Sequence, residues 1–307
     1  MKKRAEHSPI FTATPSGVLV QTGSQSDFTV EASSSYLAIK QRGIELQELF
    51  RKNGLQIPPS SYLAKLIDDT TTLSDSWLCN DQSRATAFHL FSASQLDRVA
   101  TAALPLGVSS QAKGLLGDLL SGSLDLLNRE RSKAKDTLWE LELWQILSRM
   151  GMQAALAEPD ITVLFEGKNI GIACKKFYSE NNVAKVLSQA VSQFESDFDF
   201  GIVAINLDDL TPANTILKVN STNQMSQMIN QVNYSFMESH ERHLRRYLEP
   251  GRAICTLIST AVIVDVPNTK PRFFNSRQSI VWNIPGLPPE KEAQMRRFFN
   301  AVNAAHA

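Results

Sequence analysis

An aspartate and a lysine stand at the ends of two neighbouring apolar runs in the middle of the chain. Asp160 opens the run 161–165, and Lys175 closes the run 170–174. The residues between the runs, 166–169, read Glu-Gly-Lys-Asn, which is typical of a tight hairpin turn. The two runs are therefore predicted to be adjacent antiparallel strands.

Side-chain alternation along the second strand decides which of its residues share a face with Lys175. One face is predicted to carry Ile170, Ile172 and Cys174, and the other Gly171, Ala173 and Lys175. Asp160 can lie opposite this second face. A carboxylate there could bind a hard divalent cation, and the lysine could orient an attacking water or stabilise a charged transition state of phosphoryl chemistry.

The order helix, hairpin, helix and strand over residues 136–207 resembles the PD-(D/E)XK phosphodiesterases, whose fold is restriction-endonuclease-like. Pro159-Asp160 matches the PD element, and Ala173-Cys174-Lys175 stands where these families carry Glu-x-Lys. The resemblance implies an α/β fold with a mixed sheet in αββαβ order, and hydrolysis of nucleic acid, foremost DNA, with Mg²⁺ or Mn²⁺. It also implies Asp160 and the backbone carbonyl of Cys174 as metal ligands, with Lys175 as the cation that orients water.

Glu140 is predicted to be a supporting metal ligand, because the resembling nucleases often carry a glutamate on the helix before the hairpin. On a helix it shares a face with Leu143, Trp144 and Leu147, where a lone carboxylate is unfavourable unless it is paired or faces a metal. A competing interpretation is a capping box, in which Thr137 and Glu140 satisfy backbone N–H groups at a helix start. The spacing leaves both open. Glu142 is expected on a more solvated stripe.

Polar and basic residues around this core are candidates for contact with nucleic acid. Gln189 and Gln193 lie one turn apart on the next predicted helix. In the resembling families, a polar residue of this helix often reaches the active site. Lys176 follows the proposed water-orienting lysine. Arg131 and Lys133 belong to a basic run, with Arg129 and Lys135, that could neutralise phosphates.

Ala173 occupies the position at which the resembling families carry their second acid. Three explanations remain open: a deliberate inactivating substitution, a naturally degenerate protein that binds without cutting, and an acid supplied from elsewhere. Glu158, Glu180 and Glu195 are the candidates for such an acid. The alternative function is a non-catalytic protein that binds nucleic acid or scaffolds an assembly.

Composition restricts the class of protein more than its partners. The 307 residues carry no net formal charge, so nucleic acid must be bound by local basic clusters. Three distant cysteines favour neither a disulfide framework nor a Cys-rich zinc site, and the basic start lacks the apolar stretch of a signal peptide. A cytoplasmic protein without membrane spans is expected, since the apolar stretch 253–266 is short and β-branched.

Three parts are predicted along the chain: a loose segment over residues 1–35, a mainly helical module over 36–135, and the nuclease-like α/β domain over 136–307. Within the last part, a long helix is expected over 223–248, strands over 254–266 and 279–284, and a final helix from Pro288-Pro289. A nuclease-like domain joined to a helical module indicates restriction or anti-phage defence, with a partner protein or a second copy as candidate partners.

Overall fold

The computed structural model describes residues 11–13, 19–26, 36–79, 81, 86–194, 198–248, 253–267, 269, 273–283 and 287–304, with side chains for the described positions from 36 to 302. These residues form a mixed α/β fold. The helices are α1 (Tyr36–Lys52), α2 (Tyr62–Leu78), α3 (Ala87–Ala103), α4 (Ser110–Leu119), α5 (Lys133–Arg149), α6 (Val183–Ser192), α7 (Thr222–Leu248) and α8 (Pro289–Ala304).

The strands are β1 (Phe11–Ala13), β2 (Leu19–Ser26), β3 (Gln153–Ala157), β4 (Asp160–Phe165), β5 (Lys168–Lys176), β6 (Phe200–Asn206), β7 (Leu217–Lys218), β8 (Ala253–Asp265) and β9 (Phe273–Trp282). They form one sheet in the order β1-β2-β9-β8-β6-β5-β4-β3, with β7 paired to β8. The pairs β5–β6 and β6–β8 are parallel, and β3–β4, β4–β5 and β8–β9 are antiparallel.

Helices cover both faces of the central strands. On one face α6 and α7 pack against β5, β6 and β8 around Leu187, Val203 and Phe236. On the other face α5 and α8 pack against β4, β5 and β6 around Trp139, Ile172 and Phe298. Helices α1 to α4 have their own apolar core, centred on buried leucines such as Leu46, Leu66 and Leu96.

Helix α5 belongs to both the helical part and the sheet part. Its residues Ala134, Leu138 and Leu141 lie in the core of α1 to α4. Trp139 and Leu143 lie in the core against the sheet. The predicted boundary between residues 135 and 136 falls inside this helix, so the two parts share an element.

The predicted hairpin is present as β4 and β5. Ile161 pairs with Ile172 and Phe165 with Lys168 in antiparallel register. The turn residues Glu166 and Gly167 both have positive φ, 51° and 73°, as a two-residue turn of this twist requires. Strand β3, at the sheet edge beside β4, was not predicted from the sequence. Its small residues lack the β-branched pattern that is typical of a strand.

Two adjacent glycines seat the end of α6 and the residues after it against the sheet. Gly171 of β5 pairs with Gly201 of β6 in the parallel ladder. A Cβ on Gly171 would stand 2.9 Å from the Phe198 ring, and one on Gly201 would stand 2.5 Å from the Phe194 ring. Only hydrogen at these positions lets both rings approach the strands.

Near the start of the chain, strands lie within the segment that was predicted to be loose. Near its end, a strand is longer than predicted. Within residues 1–35, β1 and β2 are strands, and β2 pairs with β9 from Val20↔Trp282 to Ser26↔Ser276. The strand expected over 279–284 begins earlier, at Phe273. The long helix, the apolar strand from residue 253 and the final helix are present close to their predicted bounds. Among the described residues, no helix combines the length and apolar character needed to cross a membrane.

Candidate functional site

Asp160 and Lys175 meet where β4 begins and β5 approaches its end. The Lys175 Nζ lies 3.2 Å from Asp160 Oδ2, and the Cys174 backbone N–H donates to the same oxygen at 2.7 Å. Both side chains are about one-fifth exposed, 18% for Asp160 and 20% for Lys175. Burial raises the pKa of Asp160 above its usual value, while Lys175 and the Cys174 N–H act in the opposite direction. The two residues that carried the motif are therefore in direct contact.

Glu140 reaches the same place from α5. The helix begins at Lys133 with Ser132 as its N-cap, so Glu140 lies two turns inside and the capping-box interpretation is wrong. Burial, and next the negative charge of Asp160, raise the pKa of Glu140 from 4.5 to about 7. The charge of Asp160 therefore opposes the ionisation of Glu140.

The first turn of α5 is tied to the strand end beside the site. The Tyr178 hydroxyl donates to Asp136 Oδ1 at 2.9 Å and contacts the backbone of Ser132. The charges of Lys133 and Asp136 act on Glu140 in opposite directions: Lys133 lowers its pKa and Asp136 raises it. Residues 133, 136 and 140 form one helical stripe, as their spacing requires.

Ala173 lies on the face of β5 predicted from alternation. It is fully buried and belongs to the apolar core with Leu187 and Val203, whereas Ile172 and Cys174 face α5. Continuing the β4–β5 register one residue beyond Ile161↔Ile172 places Ala173 opposite Asp160. A side chain at position 173 would thus share a face with Asp160 and Lys175.

The side chains at this strand end form a sparse ligand set for a divalent cation. Among the described residues, no group of three or more His, Cys, Asp or Glu side chains could hold a metal ion. Asp160 and Glu140 supply two carboxylates, and one oxygen of Asp160 already accepts from Lys175 and Cys174. In a strand the N–H and C=O of one residue point to the same neighbour, so the Cys174 carbonyl also faces β4. Ca²⁺ sites use more oxygen ligands than these residues offer, whereas Mg²⁺ is usually bound through one or two carboxylates and keeps several waters.

The candidates for a relocated acid are not equivalent. Glu158 is exposed, precedes Pro159, and its charge raises the pKa of Asp160. The carboxylate of Glu180 accepts from His240 Nε2 at 2.7 Å and is held towards α7 instead. Glu195 lies outside the described residues.

Gln193, a predicted nucleic-acid contact, lies beside the residue that precedes Asp160. Its Nε2 donates to the backbone carbonyl of Pro159 at 3.2 Å, which fixes the residue before Asp160. Its Oε1 is buried and has no hydrogen-bond partner among the described residues. Gln189, one turn earlier, is exposed on α6.

The basic residues divide into exposed and buried groups. Arg131 is exposed, and Lys133 is 55% exposed with Asp118 3.6 Å away, so both remain candidates for phosphate contact. Arg129 instead donates to the backbone of Leu126, Thr211 and Pro212.

Two predicted phosphate contacts are corrected by burial. The Lys176 side chain is only 3% exposed, and its ammonium lies 2.6 Å from Asp209 Oδ2. The Lys135 side chain is fully buried and lies 3.1 Å from the same carboxylate. Neither amine can reach a nucleic acid, because each is enclosed within the fold.

A cluster of buried charged residues lies behind the site and was not predicted from the sequence. Glu142, expected on a solvated stripe, accepts from Arg98 of α3 and from Arg277 of β9. Arg98 also donates to Asp208, at the end of β6. These residues are far apart in sequence, so no local spacing signals their contact.

Comparisons with protein-family models, with curated proteins and with solved structures find no match for this chain. The assignment of function therefore depends on the site itself.

Proposed function

We propose that this protein is a nucleic-acid-binding protein of the PD-(D/E)XK nuclease type, whose site lacks the acid at position 173 and therefore binds phosphodiesters without cutting them. The observation that carries the proposal is the contact of Lys175 with Asp160 at adjoining strand ends, with Glu140 supplied by the preceding helix. A nuclease of this type uses these three residue types together with a second acid, and Ala173 stands where that acid is expected.

The order of elements supports the proposal. Helix α5 is followed by the antiparallel strands β3, β4 and β5, then by helix α6 and the parallel strand β6. Apart from β3, this succession is compatible with the αββαβ order that the resemblance implies. Strand β3 extends this arrangement at the edge. Fold order by itself does not define activity, so the residues at the strand ends carry the argument.

The residues present can hold a phosphate but are poorly suited to activating water. The Lys175 ammonium is partly exposed, and a phosphate oxygen is a natural acceptor for one of its three donors. Asp160 keeps that ammonium at the strand end. Arg131 and Lys133, both exposed at the start of α5, could contact neighbouring phosphates.

A binding measurement tests the proposal. We expect fluorescence anisotropy to show salt-dependent binding of DNA or RNA oligonucleotides in EDTA. Lys175→Met should weaken it by roughly tenfold, or about 1.4 kcal/mol. It should also lower the dependence of log affinity on log salt by about one phosphate contact.

Lys52→Met is a matched control, because Lys52 is an exposed lysine on α1 and its nearest carboxylate, that of Glu48, is 3.8 Å away. Equal binding by both variants and the unchanged protein, or no binding by any of them, would contradict the proposal. The defence setting, the partner protein and self-association remain predictions from the architecture.

A further inference from the structure

Lys175 and Lys176 are consecutive, but their ammonium groups have opposite environments. Lys175 is partly exposed beside Asp160, and Lys176 is enclosed. The Lys176 ammonium lies 2.6 Å from Asp209 Oδ2 and 2.7 Å from Asn206 Oδ1, with the Tyr178 ring on another side at 5.8 Å. All these partners except Tyr178 come from the end of β6 or the turn after it.

Asp208 connects this lysine to the rest of the buried cluster. Its Oδ1 accepts from the backbone N–H of Ala261 at 2.7 Å, and its Oδ2 faces Arg98, Arg277 and Lys176. Burial would raise the pKa of Asp208, but the charges of Arg98, Lys176 and Arg277 outweigh that effect and hold the pKa well below its usual range. The carboxylate is therefore ionised and fixed from several sides.

The same cluster also fixes the helix that carries Glu140. Lys135 of α5 donates to Asp209 at 3.1 Å. Glu142 of α5 accepts from Arg277 at 2.7 Å. Because Lys135 and Glu142 stand on either side of Glu140 in sequence, α5 is anchored before and after its site residue. The cluster thus contacts both elements, α5 and β5, that bring Glu140 and Lys175 together.

We infer that Lys176 is a positioning residue, whose enclosed ammonium pins the end of β5 to the turn after β6 and thereby holds Lys175 and the Cys174 N–H against Asp160. A charge enclosed by directional partners defines a position more narrowly than an apolar contact. The relevance of this position to nucleic-acid binding rests on the proposed function, but the positioning itself does not.

The backbone N–H of Cys174 reports on this geometry directly, since it donates to Asp160 Oδ2. We expect Lys176→Met to change the Cys174 amide chemical shift and to raise its hydrogen-exchange rate at least tenfold beyond the rise that the loss of global stability explains. Lys176→Arg, which keeps the charge, should restore most of the protection. Lys176→Gln removes the charge but keeps a hydrogen-bond donor for Asp209. It replaces Lys176→Met as the test variant if Lys176→Met does not fold.

Arg42→Met provides the control for stability, because Arg42 pairs with Asp97 within the helical part and its side chain is 22% exposed. It should lower global stability without a specific effect on Cys174. The inference is overturned if the Lys176 variants leave the Cys174 amide as Arg42→Met leaves it, or if Lys176→Arg is as disturbed as Lys176→Met.

The two proposals fail separately. If Lys175→Met binds nucleic acid normally while Lys176→Met disturbs Cys174, the proposed function is wrong and the positioning role stands. If Lys175→Met loses binding while the Lys176 variants leave Cys174 unchanged, the positioning role is wrong and the proposed function stands.

Discussion

At the scale of single residues, two carboxyl groups and one amine share a partly buried strand end. Lys175 neutralises Asp160 by direct contact, but Glu140 depends on a longer-range interaction. Burial disfavours the ionised form of Glu140, and the charge of Asp160 adds to that effect. The group therefore titrates near neutral pH, where a cation bound nearby would change its protonation.

The raised pKa of Glu140 makes stability depend on pH. In the unfolded chain the group ionises near 4.5, and in the folded protein near 7, so between these values the folded state binds more protons. Stability from this group is fully present below pH 4.5 and is lost as pH rises to 7. We expect Glu140→Gln to stabilise the metal-free protein at pH 8 by about 1 to 3 kcal/mol, and to change it little at pH 4.

Chemical denaturation at several pH values measures this difference. Glu45→Gln is a suitable control, because Glu45 is exposed on α1. A Glu140→Gln variant that is destabilised more at pH 8 than at pH 4 would show that Glu140 is ionised and favourably paired instead.

The sequence predicted the contact of Asp160 with Lys175 because both lie on a hairpin, where turn chemistry and side-chain alternation set the register. It predicted Gln193 from helical spacing and family resemblance. It could not assign Lys176 or Glu142, because the burial of a charge depends on partners distant in sequence, such as Asp209 and Arg277. Local sequence patterns were therefore enough to predict the contact of Asp160 with Lys175. The buried ion pairs of Lys176 and Glu142 depend on long-range contacts, which local patterns do not show.

Among the secondary-structure elements, the position of α6 on the sheet determines how Gln193 approaches Pro159. The rings of Phe194 and Phe198, 6.4 Å apart, pack over the two glycines of β5 and β6. The apolar spacing of α6 was evident in the sequence, but the need for glycine beneath the rings was not. Strand β3 was also not predicted. It lies at the edge of the sheet, where the side chains of Trp144 and Gln111 donate to its backbone carbonyls in place of a second strand.

Gly201→Ala tests this close packing. A Cβ there would stand 2.5 Å from the Phe194 ring, so the ring and the end of α6 must move. We expect a loss of about 1 to 3 kcal/mol in the free energy of unfolding. Gly114→Ala is the matched control, because a Cβ there meets nothing within 4 Å and the residue lies inside α4. It should stabilise the protein by roughly 0.5 to 1 kcal/mol.

Both values come from denaturant titration followed by circular dichroism. Equal effects of the two substitutions would mean that the ring of Phe194 adjusts freely, and that the glycines do not determine the seat of α6.

At the scale of the whole molecule, the helical part and the sheet are joined by buried charges as well as by α5. Arg98 of α3 pairs with Glu142 and Asp208, and Asn275 of β9 donates to the Ser94 carbonyl at 2.8 Å. Sequence composition separated the two parts, because their helical and strand patterns differ. It could not show that the two parts share helix α5 and an ion network.

Arg98→Met should destabilise the whole described fold. It leaves Glu142 and Asp208 buried with fewer cations, which costs about 3 to 5 kcal/mol in comparable cases. We expect helical circular dichroism and the fluorescence of Trp139 and Trp282 in the sheet core to report one shared transition at lower denaturant. Arg51→Met, which removes an exposed pair with Glu48, should leave stability almost unchanged. Separate transitions would show that the two parts unfold independently.

Ala173→Glu tests the proposal that the site lacks one acid at position 173. The variant adds a third carboxylate on the face shared by Asp160 and Lys175, a set suited to Mg²⁺ or Mn²⁺. Because position 173 is fully buried, Ala173→Gln is the control for size, and Ala173→Glu with Asp160→Asn is the control for the site.

The measurement is cleavage of labelled DNA and RNA by each purified variant, with Mg²⁺, Mn²⁺ or EDTA. We expect metal-dependent cleavage by Ala173→Glu alone, and none by the unchanged protein, Ala173→Gln or the double variant. A folded Ala173→Glu protein that binds nucleic acid but cuts neither substrate with either metal would contradict the proposal.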